Sequence, residues 1–245
     1  MPRSSRVLAS AAVAALAITA LGAPAAAEPP LETSVTVVQG FPGRIDVCIG
    51  GKEVASNLRF GKSLTTIIEP GRLRVKVFKA DARKCRGRLI VTRRVLLEQG
   101  SDTTFAVKKQ RPNLLVFRNM FMATPDVDEL ELMWVPFALR HAARARDTEM
   151  TMGIGIDVPP NEEIVPLSNG SIFDAPWGPG DELIVPVPDI LDVFMSARNA
   201  STNKRLLDAR VIDIKPTKRY EVYLVGYRNN YRWVVVKKPF EALPF

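Results

Sequence analysis

The sequence predicts an all-β protein, two immunoglobulin-like antiparallel β-sandwich units in tandem behind a cleaved signal peptide. Three observations lead there. Short segments with alternating apolar and polar residues recur along the chain. Nineteen prolines and fifteen glycines, spread through 245 residues, break up long helices and supply turns. The second half also repeats the order of the first. At 47% hydrophobic residues, the composition is that of a folded chain.

The N-terminus has the three parts of a secretory signal: positive charge at Arg3 and Arg6, an uncharged run from Val7 to Leu21, and small residues at Ala25, Ala26 and Ala27. Cleavage is expected after Ala27, leaving about 218 residues. The apolar run is shorter than the roughly 20 residues that span a bilayer, and no later stretch is apolar enough to do so. No cysteine lies near the cleavage site, which argues against a lipid anchor. The expected product is secreted or extracytoplasmic, in the cell envelope or periplasm of a bacterium. Its organisation reads as a signal peptide over residues 1–27, a first sandwich over 31–119 and a second over 129–240.

The strands of the first unit follow in order. Val35 to Val38 is the first, and Ile45 to Ile49 follows the Gly40-Phe41-Pro42-Gly43 turn. Leu64 to Ile68 ends at Pro70-Gly71. Leu73, Val75 and Val77 then alternate with Arg72, Arg74 and Lys76, the period of a strand with one buried face. Val91 to Leu97, Thr103 to Val107 and Leu114 to Phe117 complete the unit. A shift of 117 positions places Val95 and Leu97 on Ile212 and Ile214, and Thr103, Phe105 and Val107 on Tyr220, Val222 and Leu224. The same shift carries Val77 to Phe194 and Ala80 to Ala197.

The only two cysteines, Cys48 and Cys85, both fall in the first unit. In an exported chain they are expected to form a disulfide. A metal site competes poorly, since no histidine lies near them in sequence.

Charge divides the chain. From Leu31 to Asn119 there are 18 Lys and Arg against 7 Asp and Glu, a net of +11; from Met120 to Phe245 the counts are 14 and 18, a net of −4. Lys79, Arg83, Lys84, Arg86, Arg88, Arg93 and Arg94 concentrate the positive charge around the loop that carries Cys85. They form a candidate docking surface for anionic cell-wall polymer, acidic polysaccharide or lipid headgroups. The competing reading is a solvated face, or one that answers the acidic second unit. Nucleic acid fits less well, because export removes the chain from it and the loop lacks interleaved aromatic residues.

Catalytic patterns are scarce, and the chain reads as non-enzymatic, with no cofactor expected. The single histidine, His141, has no G-x-S-x-G partner motif, and H-E-x-x-H is absent. His141 is expected where a strand turns into a loop, bonding a backbone carbonyl. Glu162-Glu163 and Asp181-Glu182 are adjacent carboxylates in loops. A carbohydrate-active enzyme using carboxylates paired in space is the alternative. Asp126, Asp128, Glu129 and Glu131 in the linker form a weak calcium candidate, without EF-hand spacing. Asn169-Gly170-Ser171 and Asn199-Ala200-Ser201 match the N-glycosylation pattern.

Val37-Val38-Gln39-Gly40-Phe41-Pro42, then Ile45-Asp46-Val47-Cys48-Ile49-Gly50-Gly51-Lys52, then Asn57-Leu58-Arg59-Phe60-Gly61 occur in an order that resembles the bacterial family known as domain of unknown function 4397 (DUF4397). Leu139-Arg140-His141-Ala142-Ala143 resembles the same opening in the second unit, and Leu167-Ser168-Asn169-Gly170 part of the next segment. Gln39 stands where that family usually has histidine. The resemblance implies an exported or surface-associated tandem β-sandwich protein. It implies no reaction and no catalytic residue.

Overall fold

Alternation along the strands fixes which sheet each side chain enters, and charge then decides which sheets meet solvent. The computed structural model describes residues 32–81, 85–109, 111, 113–119, 134–143, 148–155, 179–188, 192–199, 201–215, 218–227 and 229–239. The expected signal peptide lies outside these residues, as do Arg83, Lys84, the linker acids Asp126, Asp128, Glu129 and Glu131, the Glu162-Glu163 pair and the Asn169 site. The described residues form fifteen strands and no helix.

The first sandwich contains β1 (Ser34–Gly40), β2 (Arg44–Ile49), β3 (Lys52–Arg59), β4 (Ser63–Ile67), β5 (Gly71–Lys79), β6 (Leu89–Leu97), β7 (Asp102–Lys108) and β8 (Leu114–Arg118). One sheet has the order β4-β1-β7-β8 and the other β3-β2-β5-β6. Val35, Val37, Phe105 and Val107 meet Ile45, Val47, Val75, Val77 and Leu97 between them. The alternation in the sequence did not announce β3, whose stretch Lys-Glu-Val-Ala-Ser-Asn-Leu-Arg is largely polar. It is an edge strand, and its pairing with β2 shifts register near Asn57, which has φ 55°.

The second sandwich contains β9 (Trp134–Ala143), β10 (Thr148–Gly155), β11 (Glu182–Pro188), β12 (Asp192–Asn199), β13 (Arg205–Ile212), β14 (Lys218–Tyr227) and β15 (Asn230–Pro239). Its sheets are β11-β9-β14-β15 and β10-β12-β13. Phe137, Leu139, Met150, Val193, Met195, Ile212, Tyr220, Val222 and Trp233 fill its core.

The sandwiches are antiparallel as expected, apart from one parallel pair in each. β1 runs parallel to β7, and β9 parallel to β14. Both pairings sit at equivalent places. Gln39 lies opposite Val107 and His141 opposite Leu224, so the openings of the two units occupy the same structural position. The shift of 117 holds from β7 to β14, where Phe105 and Val107 and their counterparts Val222 and Leu224 all enter cores. It also holds for Val95 and Leu97 against Ile212 and Ile214, which face the cores of their own sandwiches. It fails at Val77 and Phe194. Val77 faces the first core, whereas Val193 and Met195, not Phe194, face the second. A strand alternates with period two, so an odd displacement from Val193 or Met195 turns the side chain away from the core. Bulges where β12 pairs with β13 accompany the change of register.

β1, β7 and β14 are buried along nearly their whole length, which a one-faced strand is not. The reason is a third core, between the two sandwiches. Val38, Ala106, Leu115 and Phe117 of the first pack on Ala142, Tyr223, Val225, Val234 and Val236 of the second. The sheets β4-β1-β7-β8 and β11-β9-β14-β15 therefore lie face to face, giving four sheet layers separated by three cores.

Candidate functional site

The layer order leaves β3-β2-β5-β6 as an outer sheet with one face to solvent. On β5, Arg72, Arg74 and Lys76 are exposed while Val75 and Val77 are buried. Successive cations on this strand stand about 6.7 Å apart, two strand residues. β6 sets Leu96 opposite Arg72, Arg94 opposite Arg74 and Thr92 opposite Lys76. On the far side, β2 and β3 add the exposed Arg44 and Arg59, which are paired with each other in register. Arg72, Arg74, Lys76 and Arg94 have no hydrogen-bond or ion-pair partner among the described residues. Like charges placed directly opposite on neighbouring strands repel, and Arg74 and Arg94 do so here. A bound anion would relieve that repulsion.

The cations singled out from the sequence separate into three places. Arg94 joins this face. Arg93, its neighbour, points to the other side of the sheet, where its Nη1 donates to the Leu114 carbonyl at 3.2 Å and ties β6 to β8. Lys79, Arg86 and Arg88 are exposed around the loop after β5, closed by the Lys79 amide donating to the Arg88 carbonyl at 2.8 Å. Cys85 in that loop is joined to Cys48 on β2, with Cα atoms 6.2 Å apart. Cys48 shares its face with Lys76, opposite it on β5, so the disulfide holds the basic loop beside the cationic strand. In the sequence, Arg72, Arg74 and Lys76 mark a strand and lie apart from the candidate cations around Cys85. Their period of two was the available signal, since it puts all three on one face.

A second concentration of charge was missed altogether. At the interface between the sandwiches, Glu221 is fully buried with Arg140 at 3.1 Å and Lys238 at 2.8 Å. It also accepts hydrogen bonds from Tyr223 Oη at 2.5 Å, Thr104 Oγ1 at 3.0 Å and Asn119 Nδ2 at 3.2 Å. Arg140 reaches on to Glu182 at 2.9 Å and lies over the Phe117 ring, 4.9 Å from its centre. Asp102 pairs with Lys238 at 2.7 Å and with Arg219. Burial alone would raise the Asp102 carboxyl, but Lys238 and Arg219 outweigh it and hold the group below its usual range. Burial also opposes the charge on Arg140, and Tyr223, Glu221 and Glu182 more than offset it. Burial first, then Glu221, pushes the Tyr223 hydroxyl well above its usual range. These groups are a structural lock, because their charges answer one another. Glu182 opens β11 rather than lying in a loop, and is an ion-pair partner of Arg140.

His141 differs from expectation. It lies inside β9, not at a strand end, and is fully buried. Its backbone amide donates to the Asp181 carbonyl at 2.9 Å, yet neither ring nitrogen has a hydrogen-bond partner among the described residues. Burial lowers its pKa to about 4, against an opposing effect of Asp181. The equivalent Gln39 instead satisfies its own turn, accepting from the Phe41 amide at 3.1 Å.

No family model matches the chain, and no curated protein matches it. Solved structures are similar to it at low identity. A streptococcal virulence factor, described by its binding of α-glucan, is 10% identical, with 82% of this chain and 95% of that chain covered and a TM-score of 0.28. A protein from Bacteroides uniformis, provisionally described as a cell adhesion protein, is 7% identical over 85% of this chain and 97% of its own, with a TM-score of 0.26.

No group of three or more potential metal ligands occurs among the described residues, and no helix there is long and apolar enough to cross a membrane. Glu221, fully buried, and Asp102, partly buried, are held in ion pairs.

Proposed function

We propose that the protein is an exported, non-catalytic binding protein that holds an anionic envelope polymer on the outer face of its first sandwich. The observation that carries this reading is the set of exposed, unpartnered cations Arg72, Arg74, Lys76 and Arg94 on adjacent strands. An extended polymer with regularly spaced phosphate or carboxylate groups suits a strand that presents charge at a regular interval. The Cys48–Cys85 disulfide supports folding in an oxidising compartment. The equivalence of Gln39 and His141 supports reading the chain as a divergent relative of DUF4397.

The test is binding of mature protein to polyphosphate and to a polyuronate, at low and high salt, beside neutral dextran. Binding to the charged polymers that falls steeply with salt, and that Arg72→Ala/Arg74→Ala/Arg94→Ala abolishes, is the expected result. Equal retention of the triple variant, or equal binding to dextran, overturns the proposal.

A further inference from the structure

We infer that the junction of the two sandwiches carries a second, separate site, which takes a single anionic sugar unit. It is a cleft of about 450 Å³, within the range of roughly 300 to 1,000 Å³ typical of small-molecule sites. The turn after β3 forms one wall, while β13 and β15 form the other. Its chemistry is mixed in the way a charged sugar requires. Lys62, Arg210 and Arg232 supply three positive charges against the single carboxylate of Asp208, while Leu207 and the buried Trp233 contribute only their edges. The excess of positive charge selects an anion, and the Asp208 carboxylate, oriented by Arg205 at 3.3 Å, suits hydroxyl groups on the same molecule.

The cleft is built rather than incidental. Arg232 is anchored from two sides. Its guanidinium lies 5.4 Å from the centre of the Phe60 ring, and its stem crosses Gly61 so closely that a Cβ there would come within 2.8 Å of Arg232 Cδ. Gly61 also has φ +73°, a conformation that side-chain-bearing residues disfavour. Trp233 Nε1 donates to the Asp208 carbonyl at 3.4 Å, fixing β15 against β13 beneath the opening. Both sandwiches contribute, so the site exists only when they are docked. It shares no residue with the outer face.

The shared ligand chemistry is a carboxylate or phosphate on a sugar ring, and titration calorimetry of the intact mature protein distinguishes the two sources. The probes are glucuronate, glucose 1-phosphate, glucose and inorganic phosphate. Binding of either charged sugar, at least tenfold tighter than both glucose and inorganic phosphate, is expected, and the tighter of the two names the anion. Arg210→Ala and Arg232→Ala should each weaken it about tenfold, the loss expected for one charge-assisted hydrogen bond. The Arg72→Ala/Arg74→Ala/Arg94→Ala variant should bind the sugars unchanged, which separates this site from the polymer-binding face. Absence of binding, inorganic phosphate or glucose binding as tightly as the charged sugars, or full retention by both Arg210→Ala and Arg232→Ala overturns the inference. Both arginines are exposed, and unchanged melting temperatures would show that the variants fold.

Discussion

Replacing Glu221 by glutamine keeps the size of the side chain and removes one charge from the centre of the docking interface. Arg140 and Lys238 are both buried beside it, at 3.1 and 2.8 Å. Breaking a buried pair by removing one partner costs about 3 to 5 kcal/mol, because the other charge is left without compensation. Neither cation is left alone here. Lys238 keeps Asp102 at 2.7 Å, and Arg140 keeps Glu182 at 2.9 Å, although that carboxylate is 37% exposed. The lower end applies, about 3 kcal/mol, which for a chain of this length lowers Tm by about 6 to 12 °C. Urea and thermal unfolding of wild type and Glu221→Gln measure it. The double variant Glu221→Leu/Arg140→Met removes both charges, and should be less destabilised than the sum of its single replacements. A loss below about 1 kcal/mol for Glu221→Gln, or strict additivity in the double variant, would refute the assignment of this network as the lock between the sandwiches.

Further outcomes follow from other parts of the structure. His141 is the only histidine, so its ring gives one set of imidazole NMR signals, which should titrate near pH 4 rather than near 6.5. Between those values the unfolded chain binds a proton there that the folded protein does not. Stability should therefore fall as pH drops from about 6.5 to 4, by about 3 kcal/mol, and His141→Phe should flatten that slope in urea titrations. The Asp102 carboxyl is depressed on folding, so its contribution is complete above its unfolded pKa of about 3.9 and is lost as pH falls through its folded value. Acid unfolding should accordingly begin at higher pH in His141-containing protein than in His141→Phe. Reduction of Cys48–Cys85, 37 positions apart, should cost up to about 4 kcal/mol by loop-closure entropy, read from chemical denaturation with and without reductant. Gly40→Val should lower Tm by destabilising the docked sheets, since even a Cβ there would lie 2.8 Å from the Val107 carbonyl oxygen and 3.1 Å from Val225 Cβ.

Within each sandwich, the fold was largely legible. Leu73, Val75 and Val77 alternate with Arg72, Arg74 and Lys76 as a one-faced strand does, and the two cysteines lay in one unit. Docking between the sandwiches was not legible from periodicity, because a strand buried on both faces loses its alternation. β14, reading Lys-Arg-Tyr-Glu-Val-Tyr-Leu-Val-Gly-Tyr, shows this directly. A signal did exist. Arg140 is a single charge inside the apolar run of β9, and a charge in such a place needs a buried partner. The cationic site was legible in sign but not in membership. Sequence adjacency grouped Arg93 with Arg94, although neighbours on a strand face opposite sides, while Arg74, distant in sequence, stands directly opposite Arg94. The cleft at Arg232 was not legible at all, since its walls come from segments far apart in the chain.

The pairs Asp102 with Arg219 and Thr104 with Glu221 each join residues 117 positions apart, the same interval that relates β7 to β14. The docking surfaces are thus counterparts of one another, and at these two places a position meets its own equivalent. Two copies of the first sandwich, brought together in this manner, would set Asp102 against Asp102. Two copies of the second would oppose Arg219 to Arg219 and bury Glu221 against Glu221. Only the unlike combination neutralises its charges. Each half is therefore a poor match for itself and a good one for its sibling. Covalent linkage supplies that sibling at high local concentration, which favours closure within one chain over exchange between neighbours.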